Sequence, residues 1–147
     1  MAKFNFRLQG FLNIKEKMEE QKKNEYGKAQ KKLEEEKQKK IELELRHQHL
    51  LEELRKKMQF SGIRPNELQQ YNNYIAYTLE EIELQQQAIE REEIVVNQKR
   101  EEVIQAMKER KMLETVKEKK YEQYLDEEKK AEQRIVDEIV SFKYNSN

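Results

Sequence analysis

From Leu68 onward a branched aliphatic residue recurs at every seventh position, through Ile75, Ile82, Ile89, Val96 and Val103 without a miss. A seven-residue repeat keeps one narrow stripe of a helix turned toward a partner helix, and β-branched residues suit one of its two seam positions. The companion positions are mixed. Tyr71 and Ala106 are apolar, whereas Thr78, Gln85, Glu92 and Lys99 are polar, with Tyr74, Leu79, Val95 and Met107 flanking the stripe. So thin a stripe predicts a seam between two helices, not the centre of a larger bundle. It then drifts onward through Leu113, Val116, Tyr124, Ala131, Ile135, Ile139 and Phe142.

The first half of the chain is rougher. Phe4, Phe6, Leu8, Phe11, Leu12, Ile14 and Met18 open it, and Leu50, Leu51, Leu54, Met58 and Phe60 close it. Between residues 19 and 40 only Tyr26, Ala29 and Leu33 stand on one helical face. The stems of Lys and Arg can cover so sparse a seam. Gly27 weakens the stretch by about 1 kcal/mol relative to alanine, and it is expected to be the most mobile part of that helix.

Between the halves lie Gly62 and Pro65, the only proline. Gly62 can take the left-handed conformation that closes a helix, Pro65 fits a new first turn, and Asn66 is the expected cap. So short a connection favours antiparallel neighbours. The expected fold is all-α: an antiparallel coiled-coil hairpin as a single domain over residues 1–147. Helix 1 is expected over about 5–60, the turn over about 61–65, and a longer helix 2 over about 66–142. Folding near residues 63–64 sets residue i against roughly residue 127 − i, so that Phe4 meets Gln123. The second helix then overruns the first by about 25–30 Å. That overhang carries Tyr124, Leu125, Ala131, Ile135, Val136, Ile139 and Phe142, which on a polar helix suggests a surface for another protein.

Composition sharpens the picture. Charged residues reach 41% against 35% hydrophobic, and 30 basic residues balance 30 acidic ones. The polar residues are mainly the strong helix formers Glu, Lys, Gln and Arg, so the low hydrophobicity points to long helices instead of disorder. Zero net charge speaks against a general nucleic-acid binder. The absence of cysteine excludes disulfides and thiolate metal sites. No apolar run has the length of a secretory signal or a membrane span, so a soluble cytosolic location is expected. His47 and His49 point about 200° apart on a helix and cannot share a metal; His47 belongs near the seam and His49 toward solvent. Glu34, Glu35 and Glu36, with Lys31, Lys32, Lys39 and Lys40, are expected to form a solvated face of i,i+4 pairs. With neither a Gly-rich loop nor a nucleophile beside a base, no enzymatic activity and no cofactor are expected.

The ends of the chain carry a resemblance. The opening "FNFRLQGFLNIKEKMEE" and the closing "EKKYEQYLDEEKKAEQRIVDEI" resemble the two ends of the flagellar export protein FliJ family, and "ELQQYNNYI" after the central Ser-Gly bend matches as well. The resemblance spans essentially the whole chain. It implies a non-catalytic stalk of the flagellar type III export machinery, similar to the coiled coil of rotary ATPase γ subunits. The implied partners are a hexameric export ATPase like FliI, an export-gate protein like FlhA, and export chaperones. It places the protein in the cytoplasm, peripheral at the inner face of the cell membrane. Phe6, Arg7, Leu8, Gln133, Ile135, Asp137 and Glu138 are the implied ATPase-facing residues. His47, Leu51, Tyr71, Tyr74 and Ile75 are the implied gate-facing ones, although some relatives carry tyrosines where this chain has His47 and Leu51. Two other readings stay open at this point: the corresponding stalk of a virulence secretion system, and a generic dimeric coiled-coil scaffold.

Overall fold

The computed structural model describes residues 3–146 and contains two long helices, α1 (Gln9–Lys56) and α2 (Pro65–Asn145), with no strand among the described residues. Their lengths are 48 and 81 residues, so the second is the longer, as the stripe pattern requires. By their packing the residues form two units, Met1–Gln21 with Val103–Asn147 and Lys22–Glu102.

In the unit Lys22–Glu102 the helices run antiparallel, because partners on α2 descend as those on α1 climb. Lys22 pairs with Glu102, Glu25 with Lys99 and Lys32 with Glu92, at 3.6, 3.4 and 3.2 Å. Each of these pairs joins residue i to residue 124 − i, a register centred on Gly62 and slightly earlier than the sequence alone suggests. The seam is thin. Ala29, Ile89 and Val96 are its buried apolar residues, joined by buried Thr78.

The polar companion positions find polar partners across the seam. Thr78 Oγ1 lies 2.9 Å from His47 Nδ1, and Gln85 Nε2 donates to the Glu36 backbone carbonyl at 2.8 Å. Gln85 also reaches the Glu36 carboxylate, and Glu92 and Lys99 take the ion pairs given above. A buried polar group costs little once it is hydrogen-bonded, so these residues align the helices without breaking the seam. Glu36 is therefore not part of a purely solvated face. It is half-buried, and the hydrogen bond from Gln85 holds its carboxyl below the usual carboxylate range. Lys32 and Lys40 likewise reach across to Glu92 and Gln86.

The connection differs from an ordinary helix end. The last turn of the first helix widens into a π-helical turn, Lys57–Ser61, and Gly62 follows with φ 69° and ψ 160°. That conformation is open only to glycine, but it is extended rather than the left-handed helical form expected. Pro65 is the first residue of α2, as its fixed φ favours. Asn66 accordingly lies inside the helix and does not cap it; the backbone carbonyl of Arg64 accepts from the Leu68 N–H at 3.0 Å.

In the other unit α1 begins at Gln9, four residues after the expected start. Phe4 and Phe6 precede it in irregular chain, and the Gln9 N–H donates to the Phe6 carbonyl at 3.0 Å. Phe4 packs against Tyr121 and Tyr124, with ring centroids 5.2 and 5.5 Å apart, close to the Gln123 expected opposite it. Phe6, Leu12 and Ala106 are buried. Lys15 pairs with Glu109 at 2.9 Å, and buried Glu19 pairs with Arg110, which also reaches Glu114 at 2.7 Å.

Candidate functional site

Two surfaces hold the residues singled out from the sequence, and each belongs to one unit. The first lies in the unit that contains both ends of the chain. Beyond Tyr124 the helix α2 continues for 21 further residues to Asn145, and every residue from 129 to 146 is exposed. Its apolar side chains are not tucked away: Ile135 is 57% exposed and Phe142 75%. Val136, Ile139 and Val140 are exposed beside them. Ile135, Ile139 and Phe142 follow the 4-and-3 spacing of one helical face, with Val136 and Val140 a step to its side. The polar interactions within this extension are local, such as Lys130 with Asp126 at 3.2 Å and Gln133 donating to Asp137 at 3.1 Å. Such pairs support the helix by a few tenths of a kcal/mol each and leave the apolar face uncovered.

At the base of the extension Lys3, Phe4, Arg7, Leu8, Lys120 and Tyr124 line an open groove of about 800 Å³. Arg7 and Leu8 are exposed there, next to the turn that starts α1. Phe6 behaves differently. It is only 7% exposed, so it anchors the N-terminal segment while forming part of the groove wall. Of the seven terminal residues, Gln133, Ile135, Asp137 and Glu138 thus share the extension, and Phe6, Arg7 and Leu8 line the groove, Phe6 as its buried member.

The second surface lies in the unit Lys22–Glu102, near the bend. His47 is half-buried, with its ring nitrogen on Thr78. The Thr78 hydroxyl donates to the Ile75 carbonyl at 2.9 Å, so it must accept from His47, which fixes the imidazole as the Nδ1–H form. His49 is exposed and faces Glu53 at 3.1 Å, so the two histidines diverge as their spacing requires. Tyr71 and Ile75 are half-buried, while Leu51 and Tyr74 are exposed. Lys57 Nζ stands 5.2 Å over the Tyr71 ring, and its hydrogen bond to Tyr71 raises the lysine above its ordinary range. Tyr71 and Tyr74 share a shallow groove with Leu50, Glu53, Lys57 and Glu67, whereas Leu51 lines another with Leu54 and Met58. Tyr71 and Tyr74 are therefore separated from Leu51 by groove, and His47 and Ile75 line neither of the two.

Among the described residues no cluster of His, Asp or Glu could hold a metal, and no helix is long and apolar enough to cross a membrane. The π-helical turn beside the bend was missed in the sequence, since a widened turn leaves no periodic signature in five residues. Compared with protein families, the chain matches that described as "Flagellar FliJ protein" over residues 4–147. Neither a curated protein nor a solved structure gives a significant match.

Proposed function

Since the chain belongs to the flagellar FliJ family, whose members are components of the flagellar export apparatus, we propose that it is a non-enzymatic stalk of that apparatus. It binds a hexameric export ATPase like FliI through the exposed extension of α2, raises that enzyme's turnover, and links it to an export gate like FlhA. Escort of export chaperones belongs to the same role, which is exercised in the cytoplasm at the inner face of the membrane. One observation carries the reading: an apolar helical face, Ile135, Ile139 and Phe142, stays uncovered where α2 outruns α1. A helix of this kind fits a surrounding apolar collar, and burying each large side chain contributes about 1.5–3 kcal/mol. His47, Leu51, Tyr71, Tyr74 and Ile75 are proposed to contact the gate.

The test is ATP turnover by the purified export ATPase with and without the full chain. The wild-type chain is expected to raise turnover. Ile135→Glu is expected to remove that effect while the chain keeps its circular-dichroism spectrum, because Ile135 is 57% exposed and not part of the buried seam. Full stimulation by Ile135→Glu would sink the assignment of this surface.

A further inference from the structure

The bend carries a charge pattern of its own, which overlaps the two grooves near the bend at Arg55, Lys57 and Met58. Residues 54–66 carry four cations, Arg55, Lys56, Lys57 and Arg64, and no carboxylate, between Glu53 and Glu67, in a chain whose charges cancel only when these four are counted. All four are exposed. In the midst of them Phe60 is 79% exposed on the π-helical turn, and Met58 is exposed two residues earlier. Gly62 then turns the chain back with its positive φ, two residues after the exposed Phe60 ring.

The arrangement of the charges decides the kind of partner. Arg55, Lys56 and Lys57 are consecutive, so they leave the helix about 100° apart and spread over about 200° of its circumference instead of lining one face. A narrow groove on a protein would meet part of such an arc. A flat anionic layer approached end-on meets all of it, and the exposed Phe60 ring a turn further on suits the apolar–polar boundary of a bilayer.

We propose that the bend, through Arg55, Lys56, Arg64 and Phe60, docks on the anionic headgroup surface of a lipid bilayer without crossing it. Each cation near such a surface changes partitioning by about fivefold, and the attraction fades within a Debye length as salt rises. The inference does not depend on the ATPase reading, and its test includes neither ATPase nor gate.

The natural sequence contains no tryptophan, so Phe60→Trp places a single reporter at the bend. Full-length Phe60→Trp protein is titrated with vesicles of phosphatidylglycerol and phosphatidylcholine, with phosphatidylcholine vesicles, and with polyglutamate. The expected result is a blue-shifted, quencher-protected emission with the anionic vesicles alone, lost at about 1 M salt. Co-sedimentation of otherwise wild-type protein should fall at least tenfold in the Arg55→Glu, Lys56→Glu double variant, and should be unaffected by Ile135→Glu. A blue shift with polyglutamate but not with vesicles would overturn the proposal in favour of an acidic protein partner. Absence of anionic-vesicle binding at low salt would overturn it, as would binding abolished by Ile135→Glu yet indifferent to the bend charges.

Discussion

Replacing Thr78 by valine isolates the role of a polar group in the seam. Thr78 is 2% exposed, accepts a hydrogen bond from His47 Nδ1 and donates one to the Ile75 carbonyl. Valine keeps the β-branched shape but takes the acceptor from His47. The lost bond is worth about 0.5–1.5 kcal/mol, and an unsatisfied donor adds about 1–3 kcal/mol when fully buried. His47 is only half-buried and can turn partly to water, so the expected total is about 1–2 kcal/mol. His47→Leu should cost less, because the Thr78 hydroxyl keeps its donor bond to Ile75. The double variant places leucine against valine and should return to within about 0.5 kcal/mol of the wild type, a coupling of about 1 kcal/mol. Urea unfolding followed at 222 nm measures all four proteins, and the Thr78→Val midpoint should fall by about 0.5–1 M. If Thr78→Val were neutral, or if the two single effects simply added, the hydrogen bond would not be coupling the helices.

Gly62→Ala meets no neighbouring atom but must adopt a positive φ that alanine avoids, so it should cost about 1–3 kcal/mol in the same unfolding assay. Gly27→Ala has the same free space inside α1 and should instead stabilise by about 0.5–1 kcal/mol. Glu36 and Glu109 are held below the usual carboxylate range, the first by the hydrogen bond from Gln85 and the second by that from Lys15. A lowered folded value means that their stabilisation is complete above the unfolded carboxylate range, about pH 4.3, and is lost as pH falls through the folded values. Urea midpoints measured across acid pH should therefore drop below about pH 4.5, and Glu109→Gln should make that fall shallower.

What the sequence revealed followed from regular spacing. The stripe from Leu68 to Val103 marked the α2 side of the seam, and Ile89 and Val96 are indeed buried there. Tyr26, Ala29 and Leu33 marked the other side, with Ala29 buried and its two companions half-buried. The polar residues on the stripe were legible as exceptions, but not as partners. Pairing Gln85 with Glu36, or Thr78 with His47, requires the register, and the register depends on the turn. The turn was read as glycine followed by proline, which is correct in kind. Its widened π-helical approach and the extended Gly62 moved the centre of the register and placed Asn66 inside the helix. Phe6 is ATPase-facing by the family resemblance; it is buried at the groove, a placement that spacing does not reveal for a residue ahead of the first helix. The uncovered α2 extension was legible from helix lengths alone; the partner proposed for it is not something that spacing encodes.

Hydrogen exchange of the full chain, alone and with the hexameric export ATPase, tests the central claim most directly. Alone, the amides of residues 129–146 should exchange faster than those around Ile89 and Val96, because no second helix covers them. With the ATPase present, protection should rise across residues 129–146 and remain unchanged at the bend. Protection confined to the bend, or none anywhere while the ATPase is saturated with the chain, would contradict the account.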